Sequence, residues 1–359
     1  MTYNWNNFDS DLMKDFNWFL YKINQRSCIE LGYIDEKYQS INRHGNHDFG
    51  LGRNVEYFHP TITLDDRMKY IATNISQADM DIQNILCNTF ISHFYGARGV
   101  HQTLTNSKDS KNCFIDFHKI LEKDKSYIDT IKHNIWIAKK EKKPIWGTTE
   151  LHTSLQTASR NFVRKENNDP LKKFDTFDML EWVASFIKNG TNEKLMQSIH
   201  IKDVYTILKK LDGVGDYFAF HGAASTSVLP QMKYHVDQRF VAPGPGAKYL
   251  IKRMWPDAPP REYADVIYFL RENADNIGLT DNVYFHPKTF NVWNDKGVSV
   301  FEYSHDSLKY YGTEVLSCQF GIYLQIRNNH KACLKRKISR SNDFNSLGAN
   351  TINLETFMT

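Results

Sequence analysis

Asp237 stands two residues after His235 in the stretch KYHVDQRFVAPGPGAKYL, so a carboxylate and an imidazole are close enough along the chain to serve one proton transfer. Positioned transfer of this kind contributes on the order of a hundred- to ten-thousand-fold in rate. Asp237 is the leading candidate, because a lone His beside a turn is more often structural. Two glycine-rich turns flank the pair. Upstream, Leu211-Asp212-Gly213-Val214-Gly215 separates two helical runs. Glycines at both ends of that turn permit positive φ and let backbone N–H groups approach a phosphate, while the following helix adds its positive end. Lys209 and Lys210 precede the turn and suit DNA phosphates, although many helical proteins join helices through a Gly-x-Gly turn without binding anything. Downstream, Gly244-Pro245-Gly246-Ala247 opens the run AKYLIKRMW. Its free N–H groups, with Lys248, Lys252 or Arg253, could hold an anion. The competing reading is a structural turn stiffened by Pro243 and Pro245. Arg26 and Arg239 suit bidentate recognition of phosphate or carboxylate, or equally a surface ion pair.

The elements that must position these groups are helical. Ile201, Val204, Leu208 and Leu211 form one apolar stripe before the first turn, and YFAFHGAAS forms a second run after it. Met13, Phe16, Leu20 and Ile23 recur at helical spacing. So do Ile82, Ile85, Leu86, Phe90 and Phe94, with Ser76 and Asp79 as a capping box. A helix over 176–189 buries Phe177, Leu180, Val183, Ala184 and Ile187 and stops at Gly190. Alternating strand patterns are scarce, so the fold is predicted to be mostly α. The segments 40–60, 105–112 and 164–173 read as loops. His44, His47, Asp48 and His59 share no helical face and read as a polar loop rather than a metal site. The expected organisation is an N-terminal helical region over 1–175, a core over 176–275 and a C-terminal extension over 276–359.

With 359 residues the chain can bury a full core without disulfides or metals. Its five scattered cysteines, with no C-x-x-C pair, suit reduced thiols in a cytoplasm. No apolar run is long enough to span a bilayer, so a membrane role is not expected. The formal charge of +4 is too small to prove a polyanion partner. Its distribution says more: Arg327, Lys331, Lys335, Arg336, Lys337 and Arg340 carry no acid among them over 326–340, which fits either a phosphate-contacting tail or a solvated one.

The order L-x-G-V-G, a helix, then Val236-Asp237 about twenty residues later resembles the helix-hairpin-helix DNA glycosylase superfamily. That resemblance implies a hairpin at Leu211, Gly213, Val214 and Gly215 gripping the DNA backbone and an Asp237 beside the extruded nucleotide. Tyr217 stands where members with lyase activity carry Lys, so no Schiff-base amine is present, and the C-terminal four-cysteine cluster of some relatives is missing. DQRFVAPGPGAKYLIKRMW, with FLYKINQRSCI near the start and LSCQFGIYLQIRNNHKACLKRKI near the end, is similar to the alpha-glutamyl/putrescinyl thymine pyrophosphorylase family of mainly phage proteins. The family's Cys-Glu-Phe reads Cys318-Gln319-Phe320 here, and Asp216 follows the hairpin where it would repel a phosphate.

This second resemblance implies a transferase that replaces pyrophosphate on a pyrophosphorylated hydroxymethyluracil in double-stranded DNA by an amino acid or polyamine. The implied partners are that DNA, the amine co-substrate and a hydroxymethyluracil DNA kinase that prepares the base, since the chain has no P-loop. No cofactor is demanded; a divalent cation travelling with the pyrophosphate is the one left open. The alternatives are a monofunctional DNA glycosylase, in which Asp237 stabilises the sugar cation, and a non-catalytic DNA-binding protein.

Overall fold

The computed structural model describes residues 4–17, 19–20, 66–97, 99–110, 112–146, 153–232, 239–273 and 309–327; among them every regular element is a helix and none is a strand. Packing divides the chain into two units. One comprises Met1–Asp65, Val241–Val292 and Leu308–Thr359, the other Asp66–Phe240 and Trp293–Ser307.

The larger unit runs α1 (Asp66–Thr73), a 3-10 turn (Ile75–Gln77), α2 (Ile82–Tyr95), α3 (Val100–Thr105), α4 (Phe117–Leu121), α5 (Lys125–Lys140), α6 (Thr153–Glu166), α7 (Asp178–Lys188), α8 (Thr191–Met196), α9 (Ile201–Lys209) and α10 (Asp216–Ser227). Its centre is α2, which packs against α1, α3, α4, α7 and α10. A helix with neighbours on every side has no solvent face, and every residue of α2 from Asn84 to Tyr95 is buried. Phe90 and Phe94 stack at 5.6 Å and lie wholly out of water, each contributing roughly 1.5–3 kcal/mol.

The cap of α2 differs from the expected Ser76/Asp79 box. Asp81 is the N-cap and accepts from Asn84 N–H. Ser76 sits in the preceding 3-10 turn and donates to the Ala72 carbonyl instead. Likewise α6 continues to Glu166, so the loop expected from 164 begins only after that residue. In α7, Phe177, Leu180, Val183 and Ala184 are buried and Ile187 is half-buried. Gly190 lies just past the C-cap at φ 73, as a left-handed terminator should.

Among the described residues this unit has no strand, and polar side chains of α2 do the pairing that a sheet would. Asn88 accepts from Ile115 N–H at 2.9 Å and donates to the Ile115 carbonyl at 2.9 Å, while Asn84 accepts from Phe117 N–H at 2.7 Å. The non-helical stretch around Ile115 is buried, and its backbone groups need partners that no strand provides.

The smaller unit contains α11 (Pro245–Met254), a 3-10 turn (Pro260–Glu262), α12 (Tyr263–Glu272) and α13 (Lys309–Arg327), with a helical N-terminal segment over 10–17. Met13, Phe16 and Leu20 are buried as the periodicity predicts; Ile23 lies outside the described residues. Phe16 stacks on Phe320 at 4.9 Å, and Trp255 donates to the Trp5 carbonyl at 2.9 Å. Helices α11 and α13 cross at glycines. A Cβ on Gly246 would overlap the Cys318 carbonyl, and one on Gly321 would overlap the Gly246 carbonyl, so only two hydrogens allow this approach. Cys87, Cys113 and Cys318 are free thiols, and among the described residues no helix is long and apolar enough to cross a membrane.

The asparagine pairing yields a stability test. Asn88→Leu keeps the number and branching of the side-chain heavy atoms but strands the Ile115 N–H and C=O, so unfolding free energy should fall by about 3 kcal/mol, read from the urea midpoint. A loss below about 0.5 kcal/mol would show that these groups find other partners.

Candidate nucleic-acid interface

The turn after α9 is built by an apolar pin and one strained glycine. Ile201, Val204 and Leu208 are buried and Leu211 is half-buried, so α9 lies on its stripe. Val214, 4% exposed, anchors the turn, and its N–H bonds the Leu211 carbonyl at 3.1 Å. Gly213 has φ 76, and a Cβ there would lie 2.5 Å from the Ser154 carbonyl of α6. Gly215 differs from the expectation of positive φ. Its backbone is extended, at φ −77 and ψ 176, and a Cβ would meet nothing within 4 Å. Gly213 therefore serves packing, whereas Gly215 is the open position where a phosphate can come close to the start of α10.

Charge at this corner is partly answered by the protein. Lys209 Nζ lies 2.9 Å from Asp216, whose carboxylate also accepts from Tyr205 at 2.7 Å. Asp216 occupies the first turn of α10, where a negative group is favoured by the helix dipole, and it holds Lys209 that would otherwise face a phosphate. Burial, then the hydrogen bond to Asp216, raise the Tyr205 phenol above its ordinary range. Lys210 is exposed at the C-cap of α9.

Past the turn, α10 carries a ladder of rings. Tyr217 and His221, one turn apart and both half-buried, have centroids 4.3 Å apart, and His221 stacks on His93 of α2 at 5.7 Å. Behind them Arg67 approaches His93 Nδ1 at 3.3 Å and donates to the Gly96 carbonyl at 3.2 Å. A guanidinium only donates, so Nδ1 must accept, which requires a neutral His93. The pair Tyr217/His221 is visible in the sequence as an i, i+4 spacing, but the approach of His93 and Arg67 depends on α1 and α2 packing beside α10. A half-exposed Tyr and His over a polar interior suit a planar heterocycle, which stacks on rings whatever its sequence context.

Arg239 is exposed, and the neighbouring Phe240 packs on Tyr205 at 5.1 Å and on Phe220 at 6.0 Å, so the chain returns to both hairpin helices at residue 240. His235 and Asp237 lie outside the described residues, as do Arg26, the loop 40–60 with His44, His47, Asp48 and His59, and the basic run beyond Arg327. Among the described residues no cluster of His, Cys, Asp or Glu is able to hold a metal ion.

The start of α11, where an anion was expected, is largely a helix contact. Gly244, Gly246 and Ala247 are buried, and Gly246 abuts α13 as described above. The N–H of Gly244 donates at 2.7 Å to Glu314 of α13, a carboxyl that the sequence reading missed because it lies seventy residues away. An acid already occupies this helix end, and the space beside Gly246 is filled. Of the expected anion-holding group, Lys248 and Arg253 are exposed; Arg253 and Lys252 line an open cleft with Asp9, Asp11 and Asp15. Those acids make the cleft a poor place for a free anion.

Burial pushes Glu314 up to about 7, against the lowering effects of the Gly244 N–H and of Lys248, and its Oε2 is buried with no hydrogen-bond partner. A carboxyl whose folded value exceeds its unfolded one favours folding while protonated. That contribution is complete below the ordinary value of 4.5 and is lost as pH rises through about 7. Unfolding free energy should therefore fall by about 3 kcal/mol across this window, while Glu314→Gln should remove most of the slope. Denaturant titrations from pH 5 to 8 on both proteins check this; equal slopes would assign the pH dependence elsewhere.

The family model described as "5-hmdU DNA kinase, helical domain" matches residues 63–303. No curated protein and no solved structure matches the chain. The match takes in α1 to α12, and with it the hairpin and the ring ladder. Since it spans well over half of the sequence, the chain belongs to the 5-hmdU DNA kinase helical-domain family.

Proposed function

We propose that this chain grips DNA through the α9–α10 hairpin and acts on the 5-methylene substituent of a thymine-derived base, replacing pyrophosphate there by an amino acid or amine. The observation that carries the reading is Gly215, extended and open at the N-terminus of α10, in a family named for a kinase of 5-hmdU in DNA. Phe240, three residues after Asp237 and packed on both hairpin helices, supports drawing the KYHVDQ segment into the same site. The proposed arrangement is the helix-hairpin-helix one, with Tyr217 and His221 as the surface on which the base rests.

The reaction is a substitution at carbon. The bond between the 5-methylene carbon and the pyrophosphate oxygen breaks, and pyrophosphate leaves with the electron pair as the pyrimidine ring pushes density outward. The amine nitrogen bonds to that carbon and gives up its proton to Asp237, and from there to water. A second reading is favoured by the family description: the chain recognises DNA for phosphorylation of the 5-hydroxymethyl oxygen itself.

The test supplies duplex DNA bearing the pyrophosphorylated base with a pool of amino acids and polyamines, following pyrophosphate release and the mass of the product nucleoside. Substitution should release pyrophosphate and leave an aminated base in the DNA; Asp237→Asn should bind DNA and lose most turnover. Gly215→Val should stay folded, because its backbone is extended and its surroundings are open, yet bind DNA more weakly with a shallower salt dependence. Phosphate transfer from ATP to 5-hydroxymethyluracil DNA would replace the first reading by the second. Release of free base would make the protein a glycosylase.

A further inference from the structure

Helix α5 presents an exposed face that the proposed chemistry does not use. Ile131, Asn134, Ile135 and Ala138 point inward, and Asn134 donates to the Leu104 carbonyl. Outward stand Lys125, Asp129, Lys132, His133, Trp136, Lys139 and Lys140. Trp136 is 56% exposed, a rare placement for the largest side chain. Its indole is held in a definite orientation, stacked on His133 at 5.7 Å and 20° with the Lys140 ammonium 5.2 Å above the ring.

The surrounding charge is one-sided. From residue 125 to 143 the chain has six lysines against Asp129 and Glu141, a local excess equal to the net charge of the entire protein. Among the described residues Lys143 pairs with Glu141 at 2.7 Å, Lys139 stands 4.0 Å from Asp175, and the Lys132 ammonium lies 4.9 Å from the Phe177 ring centroid within electrostatic reach of Glu181. Lys142 ends the helix with φ 56, where glycine would be less strained.

A protein partner is a poor match for this face. One Trp among lysines is not a contiguous apolar core, and lysine is depleted at protein interfaces. A preoriented ring with cations spaced along a helix matches single-stranded nucleic acid, whose bases stack while its phosphates meet the lysines. We propose that the outer face of α5 binds a run of unpaired DNA nucleotides, with one base taking the place of the Lys140 ammonium over Trp136 and phosphates along Lys132, Lys139 and the displaced Lys140. This goes beyond the hairpin site but rests on the reading that the chain binds DNA.

The experiment measures affinity of the full chain for a blunt duplex and for the same duplex with a single-stranded tail, across a salt series. The wild type should prefer the tailed duplex. Trp136→Ala should weaken tailed binding roughly tenfold or more, with Trp136→Phe retaining most of it. The triple change of Lys132, Lys139 and Lys140 to Ala should lower the salt slope on the tail by about 2. None of these changes should alter blunt-duplex binding, and light scattering should show the same mass for all. The proposal is overturned if the wild type shows no preference for a tail, or if the variants bind the tail as the wild type does. A change in oligomeric mass with Trp136→Ala would also overturn it, by making the face a protein contact. Intact blunt-duplex binding in any of these cases leaves the hairpin reading standing; loss of all DNA binding in the wild type sinks both.

Discussion

A buried backbone must find hydrogen-bond partners, and around Ile115, with no strand among the described residues, side chains of α2 supply them. Asn84 and Asn88 hold Ile115 and Phe117, the first residue of α4, against the central helix. Leucines in their place would preserve the apolar periodicity and strand the peptide groups opposite. Because α2 is enclosed on all sides, its position sets those of α1, α7 and α10 together. His93 reaches His221, and Arg67 reaches His93, only through that shared contact.

The two glycines of the hairpin show one residue type serving two physical needs. Gly213 is required by the fold, since its left-handed φ and the Ser154 carbonyl beside it both exclude a side chain. Gly215 is required by neither, and its openness is the feature that points outward to a ligand. Asp216 tempers that openness by occupying Lys209 and the helix dipole. In the proposed DNA contact, backbone N–H groups and the exposed Lys210 are thus left to meet a phosphate at the turn.

In the smaller unit, close approach of α11 and α13 has a chemical consequence. Gly246 and Gly321 bring the helices near enough to seal Glu314 from water beside the Gly244 N–H. One hydrogen bond does not compensate a buried carboxylate, so the proton is retained to near neutrality. The same Gly-Pro-Gly-Ala that reads as an anion cradle in sequence is therefore the seat of an acid.

Several features were determined by the sequence alone. The stripes of α7 and α9, the buried Phe16, Phe90 and Phe94, the left-handed Gly190 and the turn between α9 and α10 follow from periodicity and backbone sterics, which act within a few residues. The nature of the N-cap at Asp81, the packing role of Gly246, the pairing of Lys209 with Asp216 and the elevated Glu314 were decided by tertiary structure. Glycine's freedom looks identical whether a phosphate or another helix approaches, and the protonation of Glu314 depends on a neighbour seventy residues away. Local spacing determines where helices form; which side chains become buried, paired or exposed is settled only when those helices meet.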